Sequence, residues 1–123
     1  ETTITGFEGF DPNGVPEFMR ARKALQYSSS IDDYVRIMLD GNNGAYANDW
    51  LLGDNKTGEV ARFELGLKNH SVERTKDGYF VGANFPVGEK LIREGVISEA
   101  EARLRASHPE LLSRERPLPG ARE

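Results

Sequence analysis

The stretch from Tyr46 to Leu67 most constrains what this chain can fold into. Tyr46 to Gly53 is apolar on both faces around Asn48 and Asp49, the pattern of a strand that is covered on both sides. Asp54-Asn55-Lys56-Thr57-Gly58 is turn material. Glu59 to Leu67 then alternates, with Ala61, Phe63, Leu65 and Leu67 on one side and Val60, Arg62 and Glu64 on the other. That period of two marks a strand with one core face. Two such runs joined by a turn predict a β-hairpin.

The other elements are read around this hairpin. Thr2 to Thr5 is β-branched and predicts a strand or the end of one. Gly6 to Gly14 is a loop with a turn at Asp11-Pro12-Asn13-Gly14. Pro16 suits the first turn of a helix running to about Tyr27, with Phe18, Ala21 and Leu25 on one face. Ser30 and Asp33 resemble a capping box. Ile31, Tyr34, Val35, Met38 and Leu39 follow at helical spacing and form the clearest amphipathic helix in the chain. Gly41-Asn42-Asn43-Gly44 ends it. Strands are expected around Ser71 to Arg74 and from Tyr79 to Ala83, and a short helix from Pro86 to Glu94. Ser98 and Glu101 begin a further helix to about Ser107, and a loose tail follows from His108. The expected division is residues 1–95 as the folded unit and 96–123 as helix and tail. Helices set apart from a mainly antiparallel sheet predict an α+β fold with helices on one face. The opposite face of that sheet is then expected to be apolar and to need a second sheet or another segment over it.

Charge and composition narrow the function classes. The 123 residues hold 16 Lys+Arg against 20 Asp+Glu, a net charge of −4, and no Cys. An acidic chain is a poor nucleic-acid binder. The lack of Cys excludes a Cys nucleophile or thiolate metal site within these residues. His70 and His108 lie far apart and read as surface histidines rather than a metal pair. No apolar run approaches the roughly 18 residues of a membrane span, and no signal-peptide pattern opens the chain, so the compartment stays open. The first residue is Glu1 rather than Met, and the expectation is a chain processed or cut from something longer.

Three polar side chains stand inside apolar segments: Asn48, Asp49 and, after Tyr79-Phe80-Val81-Gly82-Ala83, Asn84. A buried amide without partners costs about 1–3 kcal/mol. An Asn in such a place therefore either fixes neighbouring backbone or presents its N–H to a ligand, as an oxyanion donor does. Arg20 and Arg22 either pair with carboxylates or remain solvated. Asp32 and Asp33 suit the start of a helix.

Glu1-Thr2-Thr3-Ile4, Pro16-Glu17-Phe18-Met19-Arg20, Gly44-Ala45-Tyr46-Ala47-Asn48-Asp49-Trp50 and the run from Tyr79 to Pro86 together resemble the phospholipase B-like family. They are also similar to the related peptidase C45 group of acyl-CoA:6-aminopenicillanate acyltransferases. The resemblance covers about residues 1–95. It implies part of an N-terminal nucleophile (Ntn) hydrolase, an αββα sandwich of two antiparallel sheets covered by helices. Members cut themselves to expose an N-terminal Cys, which attacks an amide or ester carbonyl with its own α-amino group as base. The resemblance makes Asn84 the first choice of oxyanion donor and Asn48 a second choice, for the site wall or the oxyanion network, with Tyr46 and Trp50 as packing or substrate-pocket residues. It implies no metal or organic cofactor. The nucleophile is expected on an upstream segment of the same protein, so that this chain alone is inactive. The substrate is expected to be a small acyl amide or ester. The alternative is a non-catalytic α+β binding or oligomerisation module derived from that fold, with self-association through an exposed apolar sheet face.

Overall fold

The computed structural model describes residues 1–4, 6–7, 9–94 and 107. Its elements in chain order are β1 (Thr2–Thr3), α1 (Glu17–Tyr27), α2 (Ile31–Leu39), β2 (Asn48–Asp54), β3 (Glu59–Leu65), β4 (His70–Thr75) and α3 (Glu89–Glu94). They form an α+β fold with a four-stranded sheet in the order β1-β2-β3-β4, every pair antiparallel. The hairpin stands where its pattern places it. Trp50 pairs with Phe63 and Asp49 with Glu64. The connecting turn is closed by the Gly58 N–H, which donates to Asp54 O at 2.9 Å. Gly58 takes a φ of +71° there, a conformation that glycine adopts without steric cost.

One face of the sheet carries the main core. Trp50, Phe63 and Leu65 pack against Ala24 of α1 and Tyr34, Ile37 and Met38 of α2. The α2 helix begins as its sequence suggests: the Asp33 N–H donates to Ser30 Oγ at 3.1 Å. The Asp33 carboxylate, however, accepts from Ser29 Oγ (2.7 Å) and Ser29 N–H, so the expected reciprocal bond is shifted by one residue.

The α1 helix departs from its apolar pattern. Phe18 and Leu25 are 70% and 75% exposed, whereas Glu17, Arg20 and Ala24 are buried. Arg20 accounts for the rotation. Its Nε donates to Val15 O at 2.9 Å, and its Nη1 donates to Met38 O, which ties the start of α1 to the end of α2. Ala24, fully buried, places the smallest side chain where the helix meets the core.

The opposite sheet face is polar, contrary to the expected apolar surface. Asp49, Arg62, Glu64, Ser71 and Glu73 share it by strand register. Arg62 pairs with Glu73 at 2.8 Å and lies 5.6 Å from the centroid of the Phe80 ring. Glu64, fully buried, accepts from Val87 N–H and Gly88 N–H, both at 2.6 Å, and from Ser71 Oγ at 3.0 Å. Asp49 Oδ2 accepts from Ala83 N–H at 3.4 Å. The segment from Tyr79 to Ala83 is therefore a strap laid across charged side chains, not the expected strand. The Ala83 amide, and those of Val87 and Gly88 just beyond the segment, turn to carboxylates of the sheet. A Cβ at Gly88 would lie 2.5 Å from Ser71 Oγ and 2.8 Å from Glu64 Oε2, so the close approach requires glycine.

Among the described residues, α1 and α2 are the helices that cover the main core face. The α3 helix belongs to a second cluster, in which its Leu91 packs with Ile4 and Ala47. Glu94 at its end accepts from Lys68 N–H (2.6 Å) and Asn69 N–H (2.7 Å), which fixes the turn between β3 and β4. Among the described residues there is one sheet. The helix expected from Ser98 and the tail from His108 lie outside the described residues.

Candidate functional site

The start of β2 delivers three residues into the protein. Asn48 and Asp49 are each 1% exposed and Trp50 is 8% exposed. Asn48 and Trp50 lie on the face covered by helices, and Asp49 on the polar face, because side chains alternate along a strand.

An open cleft of about 880 Å³ runs between α1 and the start of β2, lined by Glu1, Glu17, Phe18, Leu25, Tyr46 and Trp50 among others. Its apolar walls are exposed: Tyr46 is half-exposed, and Phe18 and Leu25 more so. Asn48, buried and not itself lining the cleft, donates from Nδ2 to Glu1 Oε2 at 3.0 Å. Glu17, buried at the start of α1, lies close to Glu1. Burial, and then the nearby Glu1 carboxylate, raise the Glu17 carboxyl above its ordinary value, while Arg20 pulls it down. Burial and the same two carboxylates push the Tyr34 phenol up to about 12, so it stays neutral at physiological pH. The Trp50 ring lies 6.0 Å from that of Tyr34, tilted by 58°. Two buried atoms here, Asn48 Oδ1 and Trp50 Nε1, have no hydrogen-bond partner.

Two of the four residues predicted for the site, Tyr46 and Trp50, line this cleft, and Asn48 is linked to it through its hydrogen bond to Glu1. Asn84 does not line it. Asn84 is exposed, and its Nδ2 donates to Thr2 Oγ1 at 3.0 Å and to Thr3 O at 2.9 Å. It holds the strap to β1, and with Asn48 it brackets the segment from Glu1 to Thr3. The two amides do not converge on a common point: each is committed to a different residue of that segment.

The sequence did not point to Glu1 and Glu17 as site residues. An acidic residue in the first turn of a helix is the ordinary preference of the macrodipole, so Glu17 carries no distinguishing pattern. A second cavity of about 440 Å³, between the Ser28–Ser30 turn and the β2–β3 turn, contains none of the four predicted residues. Among the described residues, no group of three or more His, Cys, Asp or Glu side chains is arranged to hold a metal ion.

No protein-family model matches the chain, and neither a curated protein nor a solved structure matches it.

Proposed function

We propose that this chain forms part of an Ntn acyl hydrolase or acyltransferase similar to the phospholipase B-like and peptidase C45 proteins. In this reading the sheet is one of the two in an αββα sandwich, and an upstream segment of the same protein carries a Cys. The Cys thiolate attacks the carbonyl of an amide or ester, the thiol proton passes to its α-amino group, and the amine or alcohol leaves with that proton as a thioester forms. Water or an amine then takes the acyl group and regenerates the thiol. Asn84 is assigned as the amide donor for the oxyanion, Asn48 to the site wall, and Tyr46 and Trp50 as substrate-pocket walls.

The observation that carries this reading is the bracketing of Glu1–Thr3 by the two asparagines, next to a cleft walled by Tyr46 and Trp50. In the proposal the upstream segment joins at Glu1, so it arrives beside both amides and the apolar wall. The test is acyl-transfer kinetics of the complete protein with its upstream Cys. Asn84→Ala is expected to lower kcat by roughly 10²–10³-fold, the loss typical of one oxyanion donor. A change below about threefold removes Asn84 from the chemistry and leaves it as a clamp on β1. The 123-residue chain by itself is expected to show no turnover.

A second reading, a non-catalytic binding or oligomerising module of the same fold, draws on the exposed Phe18, Met19, Leu25 and Tyr27 of α1. It does not draw on the sheet face, which is charged and strapped. Absence of any amide or ester cleavage by the complete protein selects this second reading.

A further inference from the structure

We propose that Asn13 is a site of spontaneous covalent modification, where the side-chain amide is lost through a cyclic imide with Gly14 and isoaspartate forms, loosening the anchor of α1. The fold protects the equivalent pair Asn43-Gly44. The inference concerns this chain as it stands and does not depend on acyl transfer.

The sequence holds two Asn-Gly pairs, Asn13-Gly14 and Asn43-Gly44. Glycine carries no side chain to obstruct the approach of its nitrogen to the asparagine Cγ. At Asn13 the Gly14 nitrogen gives its proton to hydroxide and attacks Cγ. The N–Cγ bond forms, the Cγ–Nδ2 bond breaks, and Nδ2 takes a proton from water and leaves as ammonia. Water then opens the imide. Attack at Cγ gives aspartate, and attack at the main-chain carbonyl gives isoaspartate.

The structure separates the two pairs. Asn13 is exposed. Its backbone N–H donates to Asp11 Oδ1 at 2.9 Å, and no hydrogen bond among the described residues engages its side-chain amide. The Gly14 N–H donates to Asp11 O at 3.2 Å, at the long end of the normal range. Asn43 is 7% exposed, its Oδ1 accepts from Ala45 N–H at 3.0 Å, and its carbonyl accepts from Asp11 N–H at 2.8 Å. The Gly44 N–H donates to Asn42 Oδ1 at 2.9 Å, and Asn42 Nδ2 is itself tied to Gly66 O at 2.8 Å. A Cβ at Gly44 would lie 2.3 Å from Leu67 Cδ1. Ring closure at Asn43 therefore waits on local opening of a packed segment, and ring closure at Asn13 does not.

Isoaspartate adds one carbon to the main chain beside Gly14, where there is no slack. A Cβ at Gly14 would lie 2.6 Å from Asn43 Cβ. The next residue, Val15, donates to Gly41 O at 2.6 Å and accepts from Arg20 Nε at 2.9 Å. The modification thus acts on the segment that fixes the start of α1.

The experiment incubates the 123-residue chain in warm, mildly alkaline buffer. Tryptic peptides 1–20 and 37–56, which carry Asn13 and Asn43, are followed by mass spectrometry with fragmentation that distinguishes isoaspartate from aspartate. Isoaspartate is expected at Asn13 at least about tenfold faster than at Asn43. In guanidinium the two sites are expected to react at similar rates, because their local chemistry is the same. Asn13→Gln, at an exposed position, is expected to abolish the product in peptide 1–20. The purified isoaspartate form is expected to unfold at lower urea concentration than the unmodified chain. Equal rates at the two sites in the folded chain, or Asn13 left intact there while the unfolded chain converts, overturns the proposal. So does aspartate formed without isoaspartate, or an unchanged urea midpoint.

Discussion

Asp49 sits where a carboxylate is least at ease. It is almost fully buried, directly opposite Glu64 across the β2–β3 pair, and its Oδ1 has no partner. Burial first, and the Glu64 carboxylate second, push its carboxyl up to about 6, with Arg62 and the Ala83 N–H opposing. The folded protein therefore holds this proton at a pH where the unfolded chain, with an ordinary value near 3.8, has lost it. Where the folded state binds more protons, stability falls as pH rises. The contribution of Asp49 is thus most favourable below about pH 4 and declines up to and just beyond pH 6. Asp49→Asn keeps an acceptor for Ala83 and gives Glu64 a donor. It is expected to raise the urea midpoint at pH 7.5 by an amount worth about 1–3 kcal/mol, and to change it little at pH 4. Equal effects at both pH values would show that the carboxyl does not carry a raised pKa. Asn48 and Asp49 were legible as special because polar groups inside an apolar run demand partners. The partners were not legible, since Glu1 and Glu17 lie far from Asn48 along the chain.

At the scale of elements, α2 and α1 make a useful contrast. The apolar positions of α2 follow one stripe, and Ile31, Tyr34, Ile37 and Met38 are buried. In α1 the stripe of Phe18, Ala21 and Leu25 faces the cleft, and the buried stripe is Glu17, Arg20 and Ala24. A guanidinium that reaches two carbonyls on other segments outweighs the apolar preference of a helix whose own hydrophobic pattern is weak. Arg20→Ala leaves Val15 O and Met38 O without this donor and Glu17 without its nearby cation. The expected loss is about 2–4 kcal/mol in denaturant unfolding. Arg20→Lys is expected to recover only part of it, because an ammonium lacks the planar fork. By the same logic Leu25→Ser, on the exposed side, is expected to shift stability by less than about 0.5 kcal/mol. The strap from residue 79 to 88 repeats the lesson. Tyr79 to Ala83 has the composition of a strand, yet its neighbours on the sheet offer carboxylates rather than free ladder positions.

For the whole molecule, the central hairpin is the part held from both sides. Helices α1 and α2 cover one face of it, and the polar layer with its strap covers the other. By contrast, β1 has two residues and α3 six. Amide hydrogen exchange is expected to be slowest at Trp50, Leu52, Phe63 and Leu65, and at least about tenfold faster in α3 and the strap. Protection spread evenly over these regions would mean that strap, α3 and hairpin open as one unit.

The sequence by itself determined the α+β composition, the β2–β3 hairpin with its glycine turn, the capped amphipathic α2 and the helix begun by Pro16. Each of these rests on periodicity or turn chemistry within a few residues, and local patterns are complete in the chain. Only the tertiary structure decided that the second sheet face would be charged and strapped. It alone turned α1 outward on Arg20 and set Glu17 beside Glu1 and Asn48. Those outcomes depend on which distant side chains satisfy a buried charge or amide, and that pairing exists only once the chain has folded.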